Sequence, residues 1–267
     1  MKFNITKCTL SIIGSLAIGC FNDVNATTPL VCQHFTQPTP WAHNIDSTGI
    51  WRIAGTWIGS GSNTLMPSLA ATAPSYPADS GTGYLALSMN PGPALQGSEI
   101  QSLPTTGYSY GYYETRMEVT TGSGGCASFF VVEAPHYGPH EIDIEFLLNE
   151  SWLTSASTGA VHYTLHGPSG SRSQKISLPF NPTLGFHRYG ILWQPGTVSW
   201  YVDGALSCTV NDSDFTTTAQ MYMMANMWSG DPKWGGGPPS EVSTSYYDWI
   251  KFWPNVTSPP DSNSPWP

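Results

Sequence analysis

Three carboxylates stand at alternate positions in the segment Pro139-His140-Glu141-Ile142-Asp143-Ile144-Glu145-Phe146-Leu147. Successive side chains of an extended strand point to opposite faces, so Glu141, Asp143 and Glu145 share one face and Ile142, Ile144 and Phe146 take the other. The apolar face must be the core side. Two charges about 5.5 Å apart at an effective dielectric near 20 repel by roughly 3 kcal/mol, which is about two pKa units. One carboxyl should then keep its proton near neutral pH while another stays ionised. Retaining cleavage of a glycosidic bond needs that division: an acid to protonate the leaving oxygen and a carboxylate to attack the sugar. Glu141 and Glu145 are the candidate pair. Asp143 is shorter and lies between them, where it can hydrogen-bond one Glu and adjust its pKa. On a flat strand, residues i and i+4 are about 13 Å apart at Cα, whereas the retaining reaction wants carboxyls about 5 Å apart. The row therefore calls for a concave sheet on which the two Glu side chains lean inward. A solvated acidic strand face and a calcium site are the other uses of such a row. His140-Glu141 does not start a zincin motif, because Ile144 stands where the second His would be.

The elements that must hold this row read as strands. Helical periodicity is almost absent and no internal repeat is visible. Short runs punctuated by Gly, Pro, Ser and Thr predict strands at 84–89, 108–120, 127–133, 141–148, 159–165, 189–193, 197–202, 222–228 and 245–253. Gln194-Pro195-Gly196 and Asp203-Gly204 are turn signals. Many short strands separated by turns indicate an all-β sandwich or barrel. We expect one domain over residues 27–254, followed by a flexible Pro/Ser-rich tail at 255–267.

The 267 residues are enough for one β domain with a full core. Charged residues make up only 10%, against roughly 25% in an average soluble protein. Aromatics reach 13%, with 11 Trp, which suits a surface that touches a neutral, ring-shaped ligand. The net charge of −9 argues against nucleic acid or an anionic membrane as partner. Residues 1–26 read as a signal peptide: Lys2 and Lys7 precede an apolar run at 10–18, and Val24-Asn25-Ala26 is a small-x-small cleavage site. A secreted protein is expected; a lipid anchor at Cys20, after Ala17-Ile18-Gly19, is the alternative. No run approaches the roughly 18 apolar residues of a membrane span. Beyond residue 26 the Cys are Cys32, Cys126 and Cys208, so at most one disulfide forms and one thiol is left over. No sequence feature suggests an oligomer interface, and a monomer is expected.

The row resembles the Glu-x-Asp-x-Glu signature of glycoside hydrolase family 16. The resemblance extends to Tyr110–Met117, Ser128-Phe129-Phe130, Phe186–Tyr189, Trp193–Gly196, Trp200–Gly204, Asn226-Met227-Trp228 and Tyr247-Asp248-Trp249, in family order over residues about 80 to 253. It implies a β-jelly-roll of two curved antiparallel sheets, with an open substrate groove on the concave face. It also implies roles: Glu141 as nucleophile, Glu145 as general acid/base and Asp143 as assisting carboxylate. Glu114, Arg116, Phe130, His162, Asn226 and Trp228 would bind substrate, and Asp248 would help hold a structural calcium. The chemistry itself would need no cofactor. The row carries no residue inserted before Glu145, which is similar to the lichenase and xyloglucan-acting branches.

Two segments depart from the lichenase pattern. Pro139 and His140 stand where Trp-Asp is usual. Val161-His162-Tyr163 resembles the Val-His element of β-1,3-glucanases, and His162, Thr164 and His166 would share one strand face. The Gly/Pro-rich loop Asp231–Pro239, with its single Trp234, matches nothing familiar and would rim the cleft. The expected activity is endo-hydrolysis of β-glucan, with mixed-linkage β-1,3-1,4-glucan as substrate. An endo-β-1,3-glucanase, a glucan or xyloglucan transglycosylase, and a non-catalytic glycan-binding protein are the alternatives.

Overall fold

The computed structural model describes residues 30–35, 50–53, 64–65, 70–73, 84–92, 96–103, 108–135, 137–229, 231 and 233–261. The expected signal segment, with Cys8 and Cys20, and the end of the tail lie outside these residues. In chain order the strands are β1 (Val31–His34), β2 (Trp51–Ile53), β3 (Thr64–Leu65), β4 (Ala70–Ala73), β5 (Tyr84–Met89), β6 (Gln96–Ser102), β7 (Gly111–Glu118) and β8 (Cys126–Glu133). They continue as β9 (Glu141–Leu147), β10 (Gly159–Gly167), β11 (Gly170–Leu178), β12 (His187–Gln194), β13 (Thr197–Val202), β14 (Ala205–Asn211), β15 (Met221–Trp228) and β16 (Ser243–Pro254). The only helical pieces among the described residues are two short 3-10 turns, Ser151–Thr154 and Ser213–Thr216.

These strands form the expected jelly-roll sandwich. One sheet runs β14-β13-β12-β7-β16-β5-β4, with β1 also paired to β16. The other runs β11-β10-β9-β8-β15-β6-β2, with β3 on β6. All pairings are antiparallel except β3 with β6. The turn signals fall where expected: Gly196 (φ 70°) closes the β12–β13 hairpin, and Asp203 (φ 50°) with Gly204 (φ 80°) closes β13–β14.

The core lies between the sheets and is built by alternation. Ile142, Ile144 and Phe146 of β9 are fully buried beside Phe129 and Val131 of β8. Across from them stand Tyr113 and Met117 of β7, Tyr189 and Ile191 of β12, and Ile250 and Phe252 of β16. Each such side chain contributes roughly 1.5–3 kcal/mol by leaving water. Two polar side chains cross the core and pin the strands that carry the carboxylates. Trp200 Nε1 donates to the Asp143 carbonyl (3.1 Å), and the Tyr247 hydroxyl donates to the Ser128 carbonyl (2.9 Å). Most of the described tryptophans are therefore structural; Trp51, Trp193, Trp200 and Trp253 are the largest fully buried side chains.

Seven strands were not foreseen: β1, β2, β3, β4, β6, β11 and β14. The domain also continues beyond Pro254, because Asn255 N donates to the Tyr110 carbonyl (3.0 Å) and Val256 packs with Tyr112, Leu192 and Trp253. Cys208 is disulfide-bonded and Cys126 is a buried free thiol.

Candidate active site

The outer face of the second sheet carries a cleft of about 600 Å³, and Glu141, Asp143 and Glu145 all line it. The strand register arranges the side chains beside them in transverse rows. His162 of β10, Glu145 of β9, Ser128 of β8, Asn226 of β15 and Glu99 of β6 lie directly opposite one another in turn. A second row runs Thr164, Asp143, Phe130, Met224 and Gln101 through the same pairings. A third brings His166 against Glu141. At roughly 4.8 Å between strands, each five-strand row extends about 19 Å across the sheet.

Asp143 is 3% exposed and Glu145 9%. Burial disfavours their charged forms and raises the pKa of all three carboxyls, Glu141 included, and for Glu141 and Asp143 repulsion within the row adds to it. The row thus carries fewer than three negative charges near neutral pH. Donor atoms of Glu141, Asp143 and His166 lie within 4.8 Å of one another. His166 Nε2 stands 3.2 Å from Asp143 Oδ2, and its Nδ1 stands 2.6 Å from Ser171 Oγ.

Glu145 is held differently. Trp234 Nε1 donates to its Oε1 (2.9 Å), the Cys126 thiol donates to the same oxygen (3.6 Å), and the Thr164 hydroxyl donates to Oε2 (3.3 Å). These donors favour the carboxylate and work against burial. Trp234 is set in place by backbone turns around Asp231 and by Gly125 N donating to the Gly235 carbonyl (2.7 Å). Gly235 has φ +76°, and a Cβ there would meet the Gly125 carbonyl oxygen at 2.5 Å, so only glycine allows this strap.

The far side of the cleft is polar and buried. Ser128 Oγ donates to Asn226 Oδ1, and Asn226 Nδ2 donates to Glu99 Oε2 (3.1 Å). Burial pushes the Glu99 carboxyl up to about 7. Close approach of β6 depends on Gly97, where a Cβ would meet the Met227 carbonyl oxygen at 2.1 Å.

Of the residues expected to bind substrate, Phe130, Asn226 and Trp228 line the cleft. Glu114 and Arg116 do not. They share a face of β7 as expected, but it is the outer face of the opposite sheet, since Tyr113 and Met117, which flank them, point into the core. Glu114 accepts from the Tyr112 hydroxyl (2.8 Å), and Arg116 pairs with Asp248 (2.5 Å) over the ring of Phe186. A guanidinium against Asp248 does not fit a calcium ligand, which needs its oxygens turned to the ion among six to eight others. The expected metal role of Asp248 is therefore not supported by its surroundings. His162 lies beside Glu145 but behind the cleft wall: its Nε2 is 3.0 Å from Glu150 Oε1 and its ring meets the edge of Trp234 at 5.1 Å. Burial lowers its pKa, so it is neutral at neutral pH.

Glu99, Tyr137 and His166 line the cleft without having been expected there, while Trp234 lies on the loop that was expected to rim it. The face shared by His162, Thr164 and His166 was the available signal for His166. Glu99-x-Gln101 has the same spacing as Glu114-x-Arg116, on a strand whose polar composition hid it.

The family model for glycosyl hydrolases family 16 matches residues 70–251. A beta-glucanase of Paenibacillus macerans is 35% identical over 153 residues, covering 55% of this chain and 61% of that protein. A xyloglucan endotransglucosylase/hydrolase of Arabidopsis thaliana is 32% identical over 146 residues, covering 54% of this chain and 49% of that one. The chain thus spans between about half and three fifths of these relatives. Among solved structures, a prokaryotic β-1,3-1,4-glucanase (lichenase) derived from a mouse hindgut metagenome superposes with a TM-score of 0.65 at 26% identity, covering 84% of this chain and 98% of that one. The Bacillus licheniformis beta-glucanase gives 0.63 at 26% identity, covering 78% and 94%. With the carboxylate row in an open cleft and the family match running over more than half its length, the chain belongs to glycosyl hydrolase family 16.

Proposed function

We propose that this protein is a retaining endo-β-glucanase acting on mixed-linkage β-1,3-1,4-glucan. The observation that carries the reading is the buried, partly protonated row of Glu141, Asp143 and Glu145 facing a cleft that runs across five strands. Glu141 attacks the anomeric carbon, and the glycosidic carbon–oxygen bond breaks as Glu145 gives its proton to the departing oxygen. Glu145 then takes a proton from water, which displaces Glu141 and frees the sugar with its configuration retained. Asp143 adjusts the charge of Glu141, beside which it sits. Phe130 and Trp228 offer apolar surface to sugar faces, and Asn226 offers a polar group to their hydroxyls. No cofactor enters the chemistry. The likeness to a solved lichenase supports the choice of substrate.

Export and a monomeric state belong to the same reading. The signal-like segment 1–26 and the disulfide at Cys208 both suit an oxidising compartment. Among the described residues no helix is long and apolar enough to cross a membrane.

The test is to incubate the protein separately with mixed-linkage glucan, β-1,3-glucan, xyloglucan and a galactan, and to identify the products. Short oligosaccharides from mixed-linkage glucan alone are expected. Preference for β-1,3-glucan would overturn the linkage assignment, and products longer than the substrate would point to transglycosylation. A product of inverted configuration would sink the retaining mechanism.

A further inference from the structure

The two oxygens of Glu145 have different surroundings. Oε1 accepts from two donors, the indole N–H of Trp234 (2.9 Å) and the thiol of Cys126 (3.6 Å). The other acceptor within reach of that thiol, the Ala127 carbonyl, is further away at 3.8 Å. Among the described residues, Oε2 accepts only from the Thr164 hydroxyl, at 3.3 Å. A carboxylate oxygen has two lone-pair sites, so on Oε1 both are taken. A proton placed there would point at an N–H or an S–H.

We propose that Trp234 and Cys126 together hold Oε1 of Glu145 as a permanent acceptor and so reserve Oε2 for the proton that Glu145 transfers. They are positioning residues, and the inference rests on Glu145 being the general acid/base. Thr164 fits the same scheme. Its single hydroxyl hydrogen can go to Glu145 Oε2 or to Ser173 Oγ, 3.1 Å away. When Oε2 is ionised, Thr164 donates to it; when Oε2 is protonated, that O–H donates to Thr164, which turns to Ser173. The hydroxyl thus accommodates both protonation states, while the Trp234–Cys126 side does not change.

The sequence context supports a dedicated device. Trp234 sits in the Gly/Pro-rich loop that follows β15, strapped to Gly125 through Gly235. Gly125 immediately precedes Cys126, so one backbone contact places both donors. Burial keeps the Cys126 thiol protonated, and the nearby Glu145 reinforces this, so it can only donate to the carboxylate. The ionisable groups that face Glu145 are Asp143 and Glu141 on its own strand and His166 on β10, with Asp231 lining the same cleft from the loop. His162 stands opposite on β10 but is turned to Glu150, which Lys175 also holds.

The experiment compares Trp234→Phe, Cys126→Val and Cys126→Ser on two substrates. One is mixed-linkage glucan, whose leaving sugar needs a proton. The other is a dinitrophenyl β-glucooligosaccharide, whose leaving group does not. Losing a donor to the carboxylate raises the pKa of Glu145, so the alkaline limb of kcat/KM on glucan should move to higher pH, by about half a unit to one unit for Trp234→Phe. Its kcat/KM, which reports the first step, should fall about tenfold more on glucan than on the aryl glycoside. Cys126→Val should shift the limb in the same direction by less, and Cys126→Ser, which keeps a donor, should reverse that shift. Equal losses on both substrates, or an unmoved alkaline limb in variants that melt like the parent, would overturn the proposal. Glu145→Ala provides the control: it should show the same dependence on the leaving group more strongly. If it does not, the acid/base assignment itself fails, and this inference with it.

Discussion

Asn226 Nδ2 donates to Glu99 Oε2 at 3.1 Å across the floor of the cleft. That bond favours the ionised Glu99, yet burial outweighs it and pushes the carboxyl from 4.5 up to about 7. Below pH 4.5 the group is protonated whether the chain is folded or not. Between 4.5 and about 7 the unfolded chain releases the proton and the folded one keeps it, so folding loses stability as pH rises through this window. The difference is on the order of 3 kcal/mol. Glu99→Gln keeps an oxygen for Asn226 and removes the ionisation. It should melt at a higher temperature than the parent at pH 8 and at the same temperature at pH 4, as read by calorimetry. Equal stabilisation at both values would mean that the proton is not involved.

The position of Glu99 also separates what was legible in the sequence from what was not. The row on β9 was readable because one of its faces meets the core and the other the cleft, which gives strict alternation of apolar and acidic residues. On β6 only Ile100 joins the hydrophobic core, and buried polar residues stand on both faces. Ser98 bonds to the Ser88 carbonyl, Gln101 to Arg52, and Glu99 to Asn226, so that strand needs no apolar stripe and shows none. The same ambiguity misled the reading of β7. Tyr112 and Tyr113 are both fully buried, one in a small cluster on the outer face and one in the main core. Alternation placed Glu114 and Arg116 together, but nothing local said which side of the sheet they faced. The contact of Trp234 with Glu145 was unreadable for another reason: it depends on a loop strapped to Gly125, more than a hundred positions earlier in the chain.

Arg116 and Asp248 form a partly exposed pair on the face away from the cleft. Arg116→Ala should cost about 1 kcal/mol or less in stability and leave KM for glucan unchanged. In the same melting experiment, added EDTA should not move the midpoint, because the Asp248 carboxylate already faces a guanidinium. A KM raised several-fold would return Arg116 to the substrate site, and a chelator-induced drop of several degrees would restore the calcium role.

His166 places its Nε2 against Asp143 and lies opposite Glu141 in the β9–β10 register. When protonated, its charge favours ionised Glu141. Glu141 must be ionised to attack, so the acid limb of kcat/KM reports its deprotonation in the free enzyme. Replacing His166 by Gln removes the charge and leaves Glu141 harder to ionise. The acid limb should therefore move to higher pH, by about one unit, and the alkaline limb should move in the same direction, because the same charge also favours ionised Glu145. An unmoved acid limb in a well-folded variant would show that His166 does not act on the row.

Glu141→Ala removes the group that would form the covalent glycosyl intermediate and leaves Glu145 in place. Its kcat on glucan should fall by at least about a thousandfold, with a melting curve close to that of the parent. The shortened side chain opens space at the anomeric carbon, where a small anion can attack from the same side as the lost carboxylate. Azide should then restore part of the rate on a dinitrophenyl β-glucooligosaccharide and yield a glycosyl azide of inverted configuration. Rescue by azide in Glu145→Ala instead, with a product of retained configuration, would report a covalent intermediate that still forms and is captured at the second step. The two configurations together assign the two roles: swapped results would exchange nucleophile and acid/base along the strand, and retained β9 geometry with no rescue in either variant would remove the covalent step from the mechanism.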